Sequence, residues 1–520
     1  MQYQINHREN GKKEEKMHKK GKIYLDRQYE IGEVDKRIYS SMIEHMERVV
    51  YGGIYEPDHP LADEDGFRKD VIEMVKELQI PMIRYPGGNF LSGYNWEDGI
   101  GPVKDRPVRL DLAWTAEEPN LVGTDEYMRW AAKTGTEVNM AVNLGTRGAD
   151  AARNLVEYCN YEGGSYWSDL RKKNGAEKPY GIKTWCLGNE MDGTWQIGHK
   201  KPKEYGRLAV ESGRLMKKVD KKIELVLCGS SNTDIATYPS WDAKVLEEAY
   251  EVTDYISLHN YFTIVDSNMK DFLAGNIEME RQIKTIIAAC DYVKAKVRGT
   301  KDIHLSFDEW GIWNREETAN RAKWKFDWSD KNAVSEGSYS FADALLTGAM
   351  LMSLINHCDR VKIACQAQLV NHLSLFNCVK GGGVWKQTIF YPFLYTSRYG
   401  RGTALKTITD CPAYSCECYE RVPVLENAAV LNEEKRNLTV FVLNRDQEED
   451  METDLIFRGF ENLKEVEHIV YHSDDPEAVN TPQDPKRVVP YKKAAGKIEK
   501  ERYTTVLEKN SWHVIRFEYE

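Results

Sequence analysis

A strand–helix alternation repeated along most of the chain constrains its fold more than any other feature. Short apolar runs of strand length alternate with helical segments, as where an amphipathic helix at 66–79 leads into a strand at 80–86. Such alternation predicts a parallel sheet with right-handed crossovers. Eight units within roughly 350 residues are typical of a (β/α)8 barrel, also called a TIM barrel. The predicted strands lie at 37–46, 80–86, 136–145, 184–190, 224–228, 254–261, 303–310 and 360–365.

An open, doubly wound sheet is the alternative arrangement of the same elements. Folds of that kind that bind nucleotides carry Gly-x-Gly-x-x-Gly or Gly-Lys-Ser/Thr patterns in their phosphate loops. Neither pattern follows a predicted strand in this chain. The sequence therefore favours the barrel and gives no support to nucleotide binding.

The sequence pattern changes after residue 395, where short β-rich runs separated by charged turns replace the strand–helix alternation. Runs of this kind predict an antiparallel β-sandwich. An early strand is expected to join this sandwich, and the polar, lysine-rich leader before it is expected to be disordered. The expected organisation is a leader at 1–22, an N-terminal strand at 23–36, the barrel at 37–395 and the β-sandwich at 396–520.

Composition excludes some classes of binding partner and indicates the cell compartment. The chain has 520 residues, 41% of them hydrophobic, and a net charge of −11, which disfavours nucleic acid as a partner. It has neither the run of about 18 apolar residues that a membrane span needs nor the apolar segment of a secretion signal. The 10 cysteines are scattered, as free thiols in a reducing compartment are. We therefore expect a cytoplasmic protein that acts away from nucleic acid and membranes.

Two of the predicted strands end in a glutamate. The apolar run that begins at Thr184 stops at Gly188-Asn189-Glu190, and the strand at 303–310 carries Glu309 near its end. A carboxylate at such a position is costly unless it is paired or used. In a (β/α)8 barrel the loops that follow the strands build the active site. We therefore expect the two glutamates to face each other across one pocket, an arrangement that cleaves glycosidic bonds.

Polar side chains at the ends of other predicted strands suggest which glutamate is the nucleophile and which is the acid. Arg84 and Tyr261 are placed to donate to Glu309 and keep it ionised, as a nucleophile requires. Glu190 is then the acid that protonates the leaving oxygen, with His259 beside it. The remaining strand-end residues are expected to hold sugar hydroxyls: Glu44, Asn89, Asn189 and Gln368.

Two further features bear on the site. Trp96, in a glycine-bounded loop, is either a loop anchor or a platform for a sugar ring. A metal-dependent hydrolase would need clustered histidine and carboxylate ligands, but the 12 histidines include no His-x-His or His-Glu-x-x-His pair. No metal site is expected.

These motifs, taken together and in this order, resemble the intracellular α-L-arabinofuranosidases of glycoside hydrolase family 51. The resemblance spans roughly residues 23–520, and its motifs as a set are specific, whereas Gly-Asn-Glu alone is shared by a wider clan of barrel glycosidases. Departures include Gly311 after the Asp-Glu-Trp motif and the loop at 373–380. The matching stretches lie at 43–45, 51–57, 84–89, 94–99, 188–193, 257–261, 307–310, 367–371 and 387–392.

The resemblance implies a retaining, exo-acting enzyme that releases terminal arabinofuranose from arabino- or arabinoxylo-oligosaccharides. It implies that Glu190 is the acid/base, that Glu309 is the nucleophile held by Arg84, and that His259 lies beside the acid/base. It also implies a homo-oligomer, often a hexamer, with no metal or organic cofactor. The pocket residues it implies are Glu44, Asn89, Asn189, Tyr261 and Gln368.

Two alternatives keep the fold and change the function. One is another retaining glycosidase of the same clan, such as a β-xylosidase or an endoglucanase. The other is a non-catalytic sugar-binding barrel, which the loss of either glutamate would have indicated. Both glutamates are present.

Overall fold

A computed structural model describes residues 19–264, 268–313 and 336–520. Residues 1–18 of the predicted leader lie outside the described residues. Within the described ranges, no helix combines the length and apolar character needed to cross a membrane. The helices are α1 (Lys69–Leu78), α2 (Thr124–Thr134), α3 (Ala149–Asn160), α4 (Tyr166–Lys173), α5 (Pro202–Val219), α6 (Ser240–Ala249), α7 (Met269–Leu273), α8 (Asn276–Val297), α9 (Phe341–Asn356) and α10 (Phe390–Tyr399), with short 3-10 turns at Lys36–Tyr39, Asn89–Gly93, Trp96–Gly99 and Val103–Asp105.

The strands of the described residues belong to a barrel, a large β-domain sheet and three small hairpins. They are β1 (Lys19–Glu33), β2 (Ser40–Met42), β3 (Met82–Tyr85), β4 (Arg109–Asp111), β5 (Ala116–Glu118), β6 (Glu137–Val142), β7 (Thr184–Leu187), β8 (Glu224–Leu227), β9 (Tyr255–Phe262), β10 (His304–Ile312), β11 (Val361–Gln366), β12 (Phe376–Cys378), β13 (Val384–Lys386), β14 (Thr403–Asp410), β15 (Ala413–Tyr414), β16 (Val422–Pro423), β17 (Leu425–Asn432), β18 (Asn437–Asn444), β19 (Met451–Arg458), β20 (Lys464–His472), β21 (Tyr491–Lys492), β22 (Lys497–Glu499), β23 (Arg502–Leu507) and β24 (Ser511–Glu518).

Eight parallel strands close into a barrel in the order β2, β3, β6, β7, β8, β9, β10, β11. The predicted (β/α)8 fold is confirmed. The first strand is shorter than the predicted 37–46, because residues 36–39 form a 3-10 turn that Asp35 caps by accepting a hydrogen bond from the Arg37 amide. All carboxyl ends of the parallel strands therefore meet at one face, where the loops that follow them converge.

A mostly antiparallel sheet of ten strands forms the β-domain, in the order β21, β20, β24, β18, β17, β14, β1, β19, β23, β22. The N-terminal strand β1 pairs antiparallel with β14 and parallel with β19. It begins at Lys19 and not at residue 23, because Lys19 already pairs with Met451, so residues 19–22 belong to the strand and not to a disordered leader. The expected boundary at 395 falls inside α10, which continues to Tyr399.

Alternation along the strands gives the β-domain sheet two apolar faces. On β18, Leu438 and Val440 point into the core of the β-domain, whereas Phe441 points towards the barrel. The helix α9 lies on that second face and is buried along almost its whole length, which explains why it is apolar on every side. At the contact, a Cβ atom added to Gly348 would lie 2.7 Å from the indole of Trp512. The barrel and the β-domain thus share one core.

We expect Trp512→Ala to lower the free energy of unfolding by about 3–5 kcal/mol, the usual cost of removing a buried tryptophan side chain. Trp512 is fully buried between α9 and the sheet. Urea unfolding followed by circular dichroism measures the change. Tyr166→Ala is the matched control, since Tyr166 is 72% exposed and its loss should alter the free energy by about 0.5 kcal/mol or less. Equal effects of the two substitutions would contradict the shared core.

Candidate active site

The polar residues expected at the strand ends converge at the carboxyl face of the barrel. Glu309 lies on β10, and its side chain accepts a hydrogen bond from Arg84 Nη1 at 2.6 Å and another from the Tyr261 hydroxyl at 2.9 Å. Arg84 and Tyr261 come from β3 and β9, so three different strands build this contact.

Glu190 lies three residues after the end of β7 and takes a left-handed backbone conformation, with φ at 43°. One carboxylate oxygen lies 3.1 Å from His259 Nδ1, and the other accepts a hydrogen bond of 2.7 Å from the indole of Trp195. One oxygen of Glu190, one of Glu309 and a ring nitrogen of His259 all lie within 4.8 Å of one another. Carboxyl groups about 5 Å apart are the arrangement of retaining glycosidases, because no room is left between them for a water.

His259 is surrounded by carboxylates. Its Nδ1 lies 3.6 Å from Glu309, and its Nε2 lies 3.3 Å from Asp308. Burial alone would lower the pKa of His259, but the charge of Glu309 and the contacts with Asp308 and Glu190 outweigh burial and raise its pKa to about 10. His259 is therefore an imidazolium at neutral pH.

Asp308 is the carboxylate beneath the site. Burial would raise the pKa of Asp308, but Arg84 and His259 outweigh this effect, so its pKa lies below the ordinary value. The Arg84 Nε atom lies 3.5 Å from one oxygen, and the Ser257 hydroxyl donates to the other at 2.5 Å. Asp308 thus holds both cationic side chains of the site in place.

Glu44 follows β2 and faces Glu309 across a pair of glycines. A Cβ atom on Gly88 would lie 3.0 Å from Glu44 Oε2 and 3.1 Å from Glu309 Oε1, and Gly87 has φ at +124°, a conformation that favours glycine. Glu44 Oε1 accepts hydrogen bonds from the Phe90 amide and from the indole of Trp114, both at 2.9 Å. The two glycines thus allow the backbone of this loop to pass close to both carboxylates.

The pKa of Glu44 is raised to about 8, first by burial and then by the negative charge of Glu309, and the hydrogen bonds to Glu44 only partly oppose these effects. Glu44 is therefore largely protonated at neutral pH. A neutral carboxyl group can donate a hydrogen bond as well as accept one.

The amide side chains complete the same cluster. Arg84 Nη2 donates to Asn189 Oδ1 at 2.7 Å, and Asn189 donates to Asn89 at 3.2 Å. Gln368 accepts a hydrogen bond of 3.0 Å from the backbone amide of Glu44. All three amides are thus linked to the residues around the two glutamates.

Trp96 does not belong to this cluster. It is buried against Tyr158 and Trp167, and its indole donates to the Ala151 carbonyl at 3.2 Å. Of the two expected roles, the structure therefore gives Trp96 that of a loop anchor and not that of a platform for a sugar ring. A tryptophan flanked by glycines occurs in both settings, and only the packing distinguishes them.

Two tryptophans that contact the acidic residues were not expected from the sequence. Trp195 lies five residues after Glu190 in the same loop, and this proximity was an available signal. Trp114 lies between β4 and β5, far along the chain from the end of any barrel strand, and only the fold of that hairpin brings it to Glu44.

The triangle of Glu190, His259 and Glu309 has the spacing of a metal site. Its charge does not fit one, because the guanidinium of Arg84 lies 2.6 Å from Glu309 and His259 is itself cationic. A divalent cation would have to displace or neutralise both groups. The residues present therefore do not fit a metal ion.

Comparison with known proteins gives the family of the chain. Residues 74–272 match the α-L-arabinofuranosidase 1 domain, and residues 308–511 match the α-L-arabinofuranosidase C-terminal domain. The chain is 55% identical to the intracellular exo-α-(1→5)-L-arabinofuranosidase 1 of Bacillus subtilis, an alignment that covers 96% of this chain and 99% of that protein. The chain belongs to the α-L-arabinofuranosidases of glycoside hydrolase family 51.

Further relatives agree with this assignment over nearly the whole chain. An intracellular exo-α-(1→5)-L-arabinofuranosidase of Halalkalibacterium halodurans is 53% identical, covering 95% of this chain and 98% of that protein. The solved family 51 α-L-arabinofuranosidase of Bifidobacterium longum superposes with a TM-score of 0.92 at 39% identity, covering 96% of this chain and 100% of that one. The expected family and enzyme class are confirmed.

We expect Gly88→Ala to lower kcat/KM about 10- to 100-fold, because a methyl group there displaces Glu44 and Glu309, and displacements near 1 Å can cost about 100-fold. Steady-state kinetics on a chromogenic arabinofuranoside measures the loss. Gly383→Ala is the control, because a Cβ atom at Gly383 meets nothing within 4 Å, and this variant should match the wild type. Unchanged kinetics in Gly88→Ala would show that the loop tolerates the methyl group without moving the carboxylates.

His259 should make stability depend on pH. Its pKa is raised to about 10 in the folded state from an ordinary value near 6.5, so its contribution is complete below 6.5 and is lost as pH rises towards 10. The melting temperature of the wild type should therefore fall more steeply between pH 6.5 and 10 than that of His259→Gln. Differential scanning fluorimetry across this range tests the prediction. Parallel curves for the two proteins would contradict a cationic His259.

Proposed function

We propose that the enzyme is a retaining exo-α-L-arabinofuranosidase that works by double displacement. Glu309 is the nucleophile and Glu190 is the acid/base. The observation that carries this proposal is the pair of glutamate oxygens within 4.8 Å of each other, with Arg84 and Tyr261 donating to Glu309 and not to Glu190. The two carboxyl groups thus have different surroundings, as their different tasks require.

In the first step, a Glu309 oxygen attacks the anomeric carbon while Glu190 gives its proton to the leaving glycosidic oxygen. In the second step, Glu190 takes a proton from a water, which attacks the anomeric carbon and releases Glu309. His259 contacts both carboxyl groups, so its positive charge balances the negative charge that passes from Glu309 to Glu190. Two inversions leave the configuration of the sugar unchanged.

The pocket proposed for the terminal arabinofuranose is lined by Glu44, Asn89, Asn189, Tyr261 and Gln368. A largely protonated Glu44 suits this role, because it can donate a hydrogen bond to a sugar hydroxyl without adding charge beside Glu309. The hairpin β4–β5 closes one side through Trp114, which favours attack on chain ends. Trp195, 51% exposed beside Glu190, is placed where the leaving sugar can stack on it.

The proposed substrates are arabino- or arabinoxylo-oligosaccharides, with the α-(1→5) linkage as the first candidate because two close relatives are named for it. The names of those relatives, together with ten free cysteines, also support a cytoplasmic location. Hydrolysis of α-(1→5)-, α-(1→3)- and α-(1→2)-linked arabinosides, followed by chromatography, would rank the linkages. Faster release from a (1→2) or (1→3) linkage would overturn the assignment.

We also propose that the enzyme is a homo-oligomer. Three apolar side chains in and beside strand β4 point to one face of its hairpin: Val108, Leu110 and Leu112. Each is between 54% and 62% exposed to solvent. Exposed apolar side chains in such a row are typical of protein interfaces.

The two alternative functions make different predictions. Another glycosidase would turn over a xyloside or a glucan faster than an arabinofuranoside, and a sugar-binding protein would bind sugars without turnover.

The catalytic roles are tested with 4-nitrophenyl α-L-arabinofuranoside and the variants Glu190→Ala and Glu309→Ala, in the presence and absence of azide. Both variants should lose at least about 1,000-fold in kcat, because each carries out bond making or breaking. Azide should rescue Glu190→Ala to the α-arabinosyl azide, with retention, and Glu309→Ala to the β-azide, with inversion. EDTA should leave the wild type unchanged.

The opposite pair of azide products would exchange the two roles. Wild-type turnover of no glycoside at all would leave only a binding function for the barrel. Asp192→Asn serves as a control carboxylate in the Glu190 loop, because Asp192 accepts a hydrogen bond from the Ser231 amide and makes no contact with Glu309.

A further inference from the structure

The outer face of the β-domain carries an ordered pattern on three neighbouring strands. The central strand β1 alternates between buried Ile23 and Leu25 and the outward Lys22, Tyr24 and Asp26. Its neighbours are β14 on one side and β19 on the other. The outward residues of these three strands form one continuous surface.

An apolar row crosses this surface at right angles to the strands. Tyr24 pairs with Ile408 on β14 and with Ile456 on β19. Tyr24 is 38% exposed and Ile408 is 58% exposed. Three adjacent outward apolar side chains on a sheet form a patch that solvent does not favour.

Charged residues flank the row on both sides, and their signs alternate from strand to strand. On one side, Lys22 of β1 pairs with Asp410 of β14 and with Asp454 of β19. On the other side, Asp26 pairs with Arg458 of β19. Lys406 lies on the same side, because it is two residues from Ile408 on the same face of β14.

Most of these charges are available to a partner. Lys22, Lys406, Asp410 and Arg458 make no ion pair with any other residue in the described ranges, although opposite charges lie on adjacent strands. Asp454 accepts a hydrogen bond from the Thr504 hydroxyl at 2.7 Å and lies 3.7 Å from Arg502, and Asp26 accepts a hydrogen bond of 2.9 Å from the Gln28 backbone amide. The pattern therefore is not explained by ion pairs within the chain.

We propose that this face is an interface with a second copy of the same chain, packed face to face about a two-fold axis that runs along the apolar row. This axis places each strand over its own copy in the antiparallel direction. Lys22 of one copy then faces Asp26 of the other. The same operation places Asp410 over Lys406, Asp454 over Arg458, and Tyr24 over Tyr24.

The charge pattern selects this axis over the other in-plane axis. A two-fold axis along the strands would place Lys22 over Lys22 and Asp410 over Asp454. Like charges across an interface exclude wrong orientations, and opposite charges fix the right one. The surface is therefore self-complementary in one orientation only.

The dimensions also fit. Packed sheets lie about 10 Å apart, and the charged rows lie about 7 Å on either side of the apolar row. Lysine and arginine side chains can span such a gap. This interface gives a surface to the self-association proposed above, and it is independent of the catalytic roles.

Sedimentation velocity of the full chain over a wide range of protein concentration tests the proposal. The wild type should sediment with a mass of at least twice 60.0 kDa. Lys22→Glu sets a carboxylate against Asp26 of the other copy, and Asp26→Lys sets an ammonium group against Lys22, so each variant should show half the mass of the wild-type assembly. Turnover of a chromogenic arabinofuranoside by each variant should equal that of the wild type, which shows that the chain is folded.

Mixing the two variants provides the sharpest test. In a mixed pair, the carboxylate introduced by Lys22→Glu faces the ammonium group introduced by Asp26→Lys, and the remaining Asp26 faces the remaining Lys22, so the assembly should return. A wild type that is a monomer, or variants that keep the full mass, would overturn the interface. Loss of mass in both variants without recovery on mixing would overturn the two-fold pairing. Inactive but normally assembled protein would contradict the catalytic proposal and not this one.

Discussion

The guanidinium of Arg84 is the contact on which the rest of the site depends. It is almost fully buried at the carboxyl end of the barrel and lies against Glu309, Asp308 and Asn189. A carboxylate loses several kcal/mol of hydration when it is buried, and a buried ion pair that loses one partner costs about 3–5 kcal/mol. Arg84 comes from β3, whereas Glu309 comes from β10, so closure of the barrel is what brings the charge and its compensation together.

A second constraint is the close approach of carboxyl groups to one another. Within the described residues, Glu44, Glu190, Asp308 and Glu309 share one end of the barrel with the cationic side chains of Arg84 and His259. The structure balances them with Arg84, with an imidazolium at His259 and with a largely protonated Glu44. The same charged groups surround Glu190 and Glu309, the two glutamates that we propose as acid/base and nucleophile. Fold and chemistry therefore draw on the same charges.

The barrel and most of the site could be predicted from sequence because both follow from local patterns. Strand–helix alternation identifies the barrel, and in a barrel the strand ends must converge, so Glu190, Glu309, Arg84 and Tyr261 could be grouped without a structure. Trp96 and Trp114 could not be separated in this way. One packs into the core and the other reaches Glu44, and the difference arises from contacts between segments distant in the chain. The start of β1 was also missed, because a lysine-rich stretch pairs with β19 through its backbone.

The measurement that tests the central claim most directly is the anomeric configuration of the first product. Proton NMR during the first turnovers of an aryl α-L-arabinofuranoside distinguishes the two anomers before they interconvert. Glutamates as close as Glu190 and Glu309 predict α-L-arabinofuranose first, followed by slow mutarotation. Initial release of the β anomer would mean that water attacks directly, and it would contradict the assignment of Glu309 as the nucleophile.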